Sequence, residues 1–271
     1  MTRWYRGALI LVFVCLAAAG AAIIAQEANL THDQIREFLL KAKGVGSRPS
    51  SKGVTSPWRL TLSDGKLTHD ASFQPIDQLT PFFRLENGTT EVNFRDSYHH
   101  NIAAFELAKL VGLDDMMPVY VERSWNGHKG SLSWWLPVKM DEAERQQRKL
   151  QPPDVNAWNM QADRMWVFSE LVYDSDRNQT NVLIGENWKL WMIDFSRAFR
   201  PHHKLFNPAH LVRCDRHLLE KLRQLDGAVV REKTSPHITK TQVEAVMARR
   251  ELIVADFDKK SAEKGEKDVL Y

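Results

Sequence analysis

The stretch that decides the fold is DSDRNQTNVLIGENWKLWMIDFS, residues 174–196. It places Asp176 five positions before Asn181, and two short apolar runs then flank a GEN turn and lead to Asp194. Because antiparallel strands return the chain to its start, this hairpin predicts that Asp194 lies beside Asn181. A carboxylate and an amide oxygen are hard ligands of the kind that bind Mg²⁺.

Phosphoryl transfer requires these side chains in this arrangement. One carboxylate accepts or orients the proton of an attacking hydroxyl, while metal ligands hold the cation that bridges the phosphates. Asp176 is therefore the candidate catalytic residue, and Asn181 and Asp194 are the candidate metal ligands. An Asp-Arg-Asn cluster is also typical of a solvated turn. The spacing to Asn181 and the apolar strands that follow favour the metal site.

A known family carries a similar pattern. Asp176-Arg177-Asn178-x-x-Asn181, followed by Ile193-Asp194-Phe195, resembles the D-R-x-x-x-N and I-D-F motifs of phosphatidylinositol 3- and 4-kinases and related atypical kinases, including secretory-pathway kinases. The close match covers about twenty residues, and the order of the predicted elements agrees over most of residues 53–199.

That resemblance implies an α+β, two-lobed protein-kinase-like fold after an N-terminal apolar helix. A small antiparallel-sheet N-lobe with one buried helix would occupy residues 53–140, and a mainly helical C-lobe would occupy residues 141–271. Residues 26–52 would be a helix and a linker, behind a signal peptide or membrane anchor at residues 1–25.

Local patterns support both lobes. Residues 58–62 (WRLTL) alternate in polarity, and an SDGK turn leads to a returning strand at residues 67–74, which predicts a hairpin. Residues 102–111 are apolar almost all round and Gly112 follows, which predicts a buried helix. Apolar side chains recur at helical spacing over residues 158–172, which predicts a core helix in the second lobe.

The resemblance also implies cofactors and a substrate class. ATP and Mg²⁺ would be the cofactors, with Mn²⁺ as the other cation, and the acceptor would be an unknown hydroxyl of a protein, lipid or small molecule. Asp176 would be the catalytic acid, with Asn181 and Asp194 as the metal ligands. The backbone of residues 136–140 would hold adenine, and the loop that begins at Gly53 would cover the phosphates.

Two further nucleotide-binding positions depart from the family pattern. In the family pattern, a Lys on the third strand contacts the phosphates, but the aligned position here is Gln74. A Glu on the buried helix pairs with that Lys, but the aligned position here is Asn101. The two amides can bond to each other, yet they cannot neutralise phosphate, and electrostatic stabilisation is usually the largest catalytic contribution. The alternative alignment makes Glu106 the helix acid.

These departures leave two functions open. Either another cation, Lys52, Lys66 or Arg197, replaces the lysine in an active kinase, or turnover is weak or absent. In the second case the chain is a pseudokinase, a nucleotide-binding or interaction module that does not catalyse transfer.

The N-terminus carries a targeting signal. Arg3 and Arg6 precede residues 8–25, which contain nothing more polar than Cys and Gly and would span roughly 27 Å as a helix. This segment is either a membrane anchor, with the membrane as a partner, or a cleaved signal peptide. Both predict an exported or anchored domain, in a bacterial envelope or a eukaryotic secretory pathway. The net charge of +3 falls to +1 without the two arginines, which excludes a nucleic-acid footprint.

Two histidine pairs, His99-His100 and His202-His203, raise the question of a metal. Adjacent side chains point in different directions on regular structure, and the sequence offers no third ligand at a suitable spacing. The sequence therefore predicts no zinc site.

Overall fold

The protein folds as an α+β structure of sheets and helices. The computed structural model describes residues 30–50, 57–84, 88 and 90–271. The predicted leader at residues 1–25, Lys52 and the predicted phosphate loop at Gly53 lie outside the described residues.

Strands dominate the first half of the described chain, and helices dominate the second. The strands are β1 Lys43–Pro49, β2 Trp58–Ser63, β3 Thr68–Gln74, β4 Asp77–Arg84, β5 Thr90–Ser97, β6 Tyr120–Trp125, β7 His128–Trp134, β8 Val138–Asp141, β9 Val182–Gly185 and β10 Leu190–Met192. The helices are α1 His32–Lys41, α2 Tyr98–Val111, α3 Glu142–Gln147, α4 Val155–Val172, α5 Arg216–Gln224, α6 Gly227–Thr234, α7 Lys240–Lys264 and α8 Glu266–Val269.

An antiparallel five-stranded sheet, in the order β1-β2-β3-β7-β6, forms the N-terminal part. The predicted hairpin is confirmed, since Trp58 pairs with Phe73 and Ser63 with Thr68. Part of the predicted linker is wrong, because β1 lies in it and pairs with β2 around an irregularity between Gly44 and Gly46. Strand β1 contains glycines and its side chains are exposed, so its sequence lacks the alternation of apolar and polar residues that predicts a strand.

Helix α2 packs against this sheet and confirms the predicted buried helix. Ser97 caps its N-terminus by accepting a hydrogen bond from the His99 amide, and Gly112 ends it with φ 71°. Only glycine adopts that left-handed conformation without strain from a Cβ. Ala103, Ala104 and Ala108 are buried, and their small side chains allow close packing.

A second hairpin, β4 and β5, precedes α2 and was not predicted. Its strands pair from Asp77 with Ser97 to Arg84 with Thr90. Most of its side chains are exposed, including Phe82 and Val92, which face each other across the pair. Because neither strand buries a whole face, the sequence shows no period of two here.

The C-terminal part holds the predicted core helix as α4, with Met165 and Phe168 buried. A three-stranded sheet in the order β10-β9-β8 lies beside it. One continuous cluster of buried apolar side chains extends from the N-terminal sheet through α2 to the C-terminal helices. Among the helices of the described residues, none combines the length and apolar character needed to cross a membrane.

Helix α7 is fixed to the segment after β10 by a buried arginine. Arg249 donates hydrogen bonds to the carbonyls of Leu171 (2.9 Å), Arg200 (3.1 Å) and His202. Burial lowers the pKa of Arg249 to about 10, so the guanidinium keeps its charge at neutral pH. The buried cation therefore holds the chain at Arg200 and His202 through their carbonyls.

Gly130 gives a direct test of the packing between β7 and β3. A Cβ at this position would lie 2.6 Å from the Gln74 carbonyl oxygen and 2.8 Å from the Phe73 ring. Gly130→Ala is expected to lower the free energy of unfolding by about 1–3 kcal/mol. In the matched control Gly46→Ala, the new Cβ would meet the Thr61 side chain at 3.6 Å, so stability should stay equal or rise slightly. Urea unfolding measures both, and equal destabilisation would contradict the close approach.

Candidate active site

The loop between α4 and β9 is built around a buried guanidinium. Arg177 forms an ion pair with Asp174, and their side chains are 1% and 0% exposed. Arg177 also donates to the carbonyls of Asn181 (2.8 Å) and Ile193 (2.7 Å), and it stacks on the Phe195 ring at 4.2 Å. Burial raises the pKa of Asp174, and the charge of Arg177 opposes that rise. One side chain thus joins the loop, the start of β9 and the segment after β10.

Asn181 and Asp194 line the same cavity, as the hairpin predicts. The Asn181 amide nitrogen donates to the Asp176 carbonyl at 3.0 Å, which leaves the amide oxygen to bind a cation. Asp194 has φ 54°, a left-handed conformation that is strained for a residue with a Cβ. Such strain recurs at functional sites. Asn181 and Asp194 are thus two oxygen-bearing side chains that line one cavity.

That cavity has a volume of about 440 Å³. One wall consists of side chains from the N-terminal sheet, including Gln74, Tyr120 and Ser131. Another wall consists of residues 134–136 and 138–141. Burial, with the charge of Asp194, raises the pKa of Tyr120, so its hydroxyl stays neutral. The segment expected to hold adenine is thus on the wall of the cavity that Asp194 lines.

The side chains of Gln74 and Asn101 form the hydrogen bond that the sequence allows. The Asn101 amide nitrogen donates to Gln74 Oε1 at 2.6 Å, and Asn101 Oδ1 accepts the backbone N–H of Phe195 at 2.6 Å. The alternative acid, Glu106, instead pairs with Lys109 at 2.5 Å and does not line the cavity. A neutral amide therefore links α2 to β3 and to the residue after Asp194.

The three cations considered as substitutes for the lysine differ in position. Lys66 lies in the exposed turn between β2 and β3, and Lys52 lies outside the described residues. Arg197 contacts Asp96 Oδ2 at 2.8 Å and Asp176 Oδ2 at 3.2 Å. Among the described residues, Lys139 is the basic side chain that lines the cavity, and it is exposed.

Asp176 faces a second cavity, of about 300 Å³. Its side chain is 36% exposed, and Arg197 holds one of its carboxylate oxygens. Trp166, Phe206 and His210 form much of the wall. The catalytic candidate thus lies on a cavity separate from the one that the metal candidates line.

Buried Glu170 supports that wall, and sequence reasoning missed it. It accepts hydrogen bonds from the backbone N–H groups of Phe206 (2.8 Å) and Asn207 (3.0 Å). Asp96, which holds Arg197, was missed as well. Neither residue belongs to a motif, and each acts on a partner far along the chain, so no local pattern indicated them.

His100 links the same segment to the C-terminal helices. Its Nδ1–H donates to the Ser196 carbonyl at 2.9 Å, and its Nε2 accepts from the Gln242 amide nitrogen at 3.2 Å. Burial lowers the pKa of His100 to about 3, so the ring is neutral and can act as donor and acceptor at once. Gln242 also donates to the Phe199 carbonyl at 3.0 Å.

Solved structures share this architecture. No protein-family model matches the chain, and no curated protein matches it. The structure of hydra Fam20 with sugar aligns over 88% of this chain and 91% of that one, at 15% identity and a TM-score of 0.61. The Golgi casein kinase with Mn/ADP bound aligns over 88% and 78%, at 12% identity and a TM-score of 0.64. The Helicobacter pylori proinflammatory kinase CtkA aligns over 83% and 98%, at 10% identity and a TM-score of 0.52.

These likenesses confirm the predicted fold. The chain has the α+β, kinase-like architecture, with an antiparallel-sheet N-terminal region and a helical C-terminal part.

The Asn101 linkage can be tested by removing its polar atoms at nearly constant volume. Asn101→Leu would leave the buried N–H of Phe195 without its acceptor, so the free energy of unfolding should fall by about 1–3 kcal/mol. Amide hydrogen exchange at residues 194–196 should also become faster. Asn156→Leu, on the exposed side of α4, is the matched control and should change stability by less than about 0.5 kcal/mol. Unchanged exchange in Asn101→Leu would show that the linkage does not hold this segment.

Proposed function

We propose that the chain is a kinase-like phosphotransferase that uses ATP with Mg²⁺ or Mn²⁺ to phosphorylate a hydroxyl of a protein, lipid or small molecule. The observation that carries the proposal is the placement of Asn181 and Asp194 on one cavity and of Asp176 on the next. The phosphoryl donor, ATP, and the acceptor hydroxyl would then approach the loop between α4 and β9 from two sides.

The residues present fit a hard divalent cation. Asp194 offers a carboxylate, and Asn181 offers the amide oxygen that its bond to the Asp176 carbonyl leaves available. Oxygen ligands of this kind suit Mg²⁺ and Mn²⁺. When bound, the cation would neutralise and orient the phosphates. The Golgi casein kinase structure with Mn/ADP bound supports this pairing of nucleotide and metal in the shared fold.

Asp176 is the proposed proton acceptor. Its Oδ2 contacts Arg197 at 3.2 Å, and Arg197 is itself held by Asp96, so the carboxylate has a fixed direction. The acceptor hydroxyl would enter from the second cavity, lose its proton to Asp176 and form the new O–P bond, while the bond to the ADP leaving group breaks. Positioning by Arg197 would align the carboxylate with the incoming hydroxyl.

The second candidate is a pseudokinase that binds nucleotide, or an interaction partner, without turnover. The neutral bond between Gln74 and Asn101 favours it, because these amides occupy the positions where the resemblance expects Lys and Glu. Either function would operate in an exported or membrane-anchored domain if the predicted leader at residues 1–25 acts. The likeness to a Golgi casein kinase supports export.

Binding of nucleotide and metal is tested by thermal unfolding of the full chain. ADP with Mn²⁺ is expected to raise the melting temperature, because a ligand that binds only the folded state stabilises it. Asp194→Ala should abolish that rise, while Glu186→Ala, an exposed acid on the β9–β10 turn, should keep it. A rise of equal size in Asp194→Ala would exclude Asp194 as a metal ligand.

Turnover is tested by ADP release from ATP and Mn²⁺ with candidate hydroxyl acceptors. Asp176→Asn should lower kcat by about 10²- to 10⁴-fold, the usual contribution of a general base, while the thermal shift with ADP and Mn²⁺ remains. Asp115→Asn is the matched control, since Asp115 is exposed and pairs with Arg164 at 3.3 Å. Nucleotide binding without turnover in the parent chain would favour the pseudokinase.

A further inference from the structure

A second cluster of side chains that can bind a metal lies outside the lining of the two cavities described above. His99, Glu122 and His237 each offer one ligand atom, and these atoms all lie within 4.8 Å of one another. The two Nδ1 atoms of the histidines are 2.9 Å apart, and His99 Nδ1 is 3.8 Å from Glu122 Oε2.

Three separate elements supply the cluster. His99 lies in the first turn of α2, Glu122 lies on β6, and His237 lies in the connection between α6 and α7. The His237 position is fixed by its backbone N–H, which donates to the Thr234 carbonyl at 2.8 Å. The cluster therefore joins the N-terminal sheet and its helix to the C-terminal helices.

The spacing fits a transition metal. Zinc binds histidine nitrogens and carboxylate oxygens at about 2.0–2.2 Å, so ligand atoms around a tetrahedral ion lie about 3.3 Å apart. The observed separations of 2.9 Å and 3.8 Å lie on either side of that value. Small movements of the side chains would be enough to seat an ion.

The outer partners also match a metal site. Asp77 Oδ2 lies 3.9 Å from His99 Nε2, the ring nitrogen that points away from the cluster. Tyr98 donates its hydroxyl to Glu122 Oε2 at 3.2 Å. Metal-bound histidines commonly have a carboxylate behind the ring, and ligating carboxylates are commonly hydrogen-bonded.

A neutral imidazole carries a proton on one ring nitrogen and a lone pair on the other. Without an ion, the short contact between the two Nδ1 atoms is a hydrogen bond, in which the Nδ1–H of one ring donates to the unprotonated Nδ1 of the other. With an ion, both Nδ1 atoms would bind the metal and the protons would move to Nε2.

We propose that His99, His237 and Glu122 bind a divalent transition metal, zinc in particular, with water in the remaining position on the exposed side. Two imidazoles and one carboxylate select such an ion over Mg²⁺. The bound ion would fix the start of α2 to β6 and to the α6–α7 connection. His100 and Asn101, the next two residues, bond the Ser196 carbonyl and the Phe195 amide, so the ion would also restrain the segment that carries Asp194.

This proposal departs from the sequence-based prediction of no zinc site. Adjacent histidines do diverge, since His100 turns to Ser196 while His99 joins the cluster. The other two ligands come from residues far along the chain, so no spacing motif records them. The proposal does not depend on whether the chain is a kinase.

The test is titration of the full chain with Co²⁺, and in parallel with Zn²⁺, in excess Mg²⁺ that fills any oxygen-rich site. We expect one equivalent of Co²⁺ to give the strong visible bands of a four- or five-coordinate ion, and Zn²⁺ to abolish them. Zn²⁺ should also raise the melting temperature. Asp194→Ala should behave like the parent, which separates this site from the proposed catalytic metal.

His99→Gln and His237→Gln should each weaken Co²⁺ binding by at least about tenfold. His217→Gln, an exposed histidine 3.9 Å from Glu220, is the matched control and should not change it. Melting curves in EDTA establish whether each variant folds. If a histidine variant does not fold, Glu122→Gln decides, because glutamine keeps the shape and loses the charge. No visible bands in the parent, or undiminished bands in the folded variants, would overturn the proposal.

Discussion

Burial of the Arg177 guanidinium is the constraint on which the site depends. A charge removed from water costs several kcal/mol unless a counter-ion and hydrogen-bond acceptors surround it. Asp174 supplies the counter-ion, and the carbonyls of Asn181 and Ile193 supply acceptors. Because those carbonyls belong to the residues at the start of β9 and just after β10, satisfying the charge also sets the distance between the two metal candidates. Loss of the guanidinium would leave the buried Asp174 uncompensated and release both strand ends.

The neutral linkage through Asn101 has two opposite consequences. Hydrogen bonds to Gln74 and to the Phe195 amide hold α2 in place without burying charge, so they avoid the desolvation cost of an ion pair. Because of the same neutrality, an uncharged Gln74 stands on the wall of the cavity that Asn181 and Asp194 line, where the resemblance expects a cation. A Lys–Glu pair would both hold the helix against the sheet and supply a positive charge to the phosphates. Here the amides perform only the first of these two roles. The helix is held by amides, while phosphate charge must be balanced from elsewhere.

Sequence reasoning recovered the parts of the molecule that are encoded locally. The β2–β3 hairpin and α2 follow from periodicity and from Gly112, and the β9–β10 hairpin, which brings Asn181 and Asp194 to one cavity, follows from the apolar runs around the GEN turn. The roles of Asp176, Asn181 and Asp194 stay predictions. Sequence reasoning failed for elements and side chains whose positions are fixed by contacts with distant residues and not by a local sequence pattern. β1 is glycine-rich and exposed, and the β4–β5 hairpin buries no full face. Arg197 with Asp96, Glu170 with Phe206, and His99 with His237 all join residues distant in the chain, and no single window of sequence contains both members.

The charges along the cavity that Asn181 and Asp194 line indicate what a nucleotide bound there would require. Asp141, Glu144 and Asp194 line it, and Lys139 is the basic side chain among the described residues of its wall. A polyphosphate would meet a net negative surface in this part of the chain, and repulsion between like charges is strong where water is partly excluded. Divalent cations at Asn181 and Asp194 would reverse that sign locally, since a bound metal is often the largest charge in a site. Nucleotide affinity in this protein should therefore depend more steeply on the metal than it would in a site with a lysine on the phosphates.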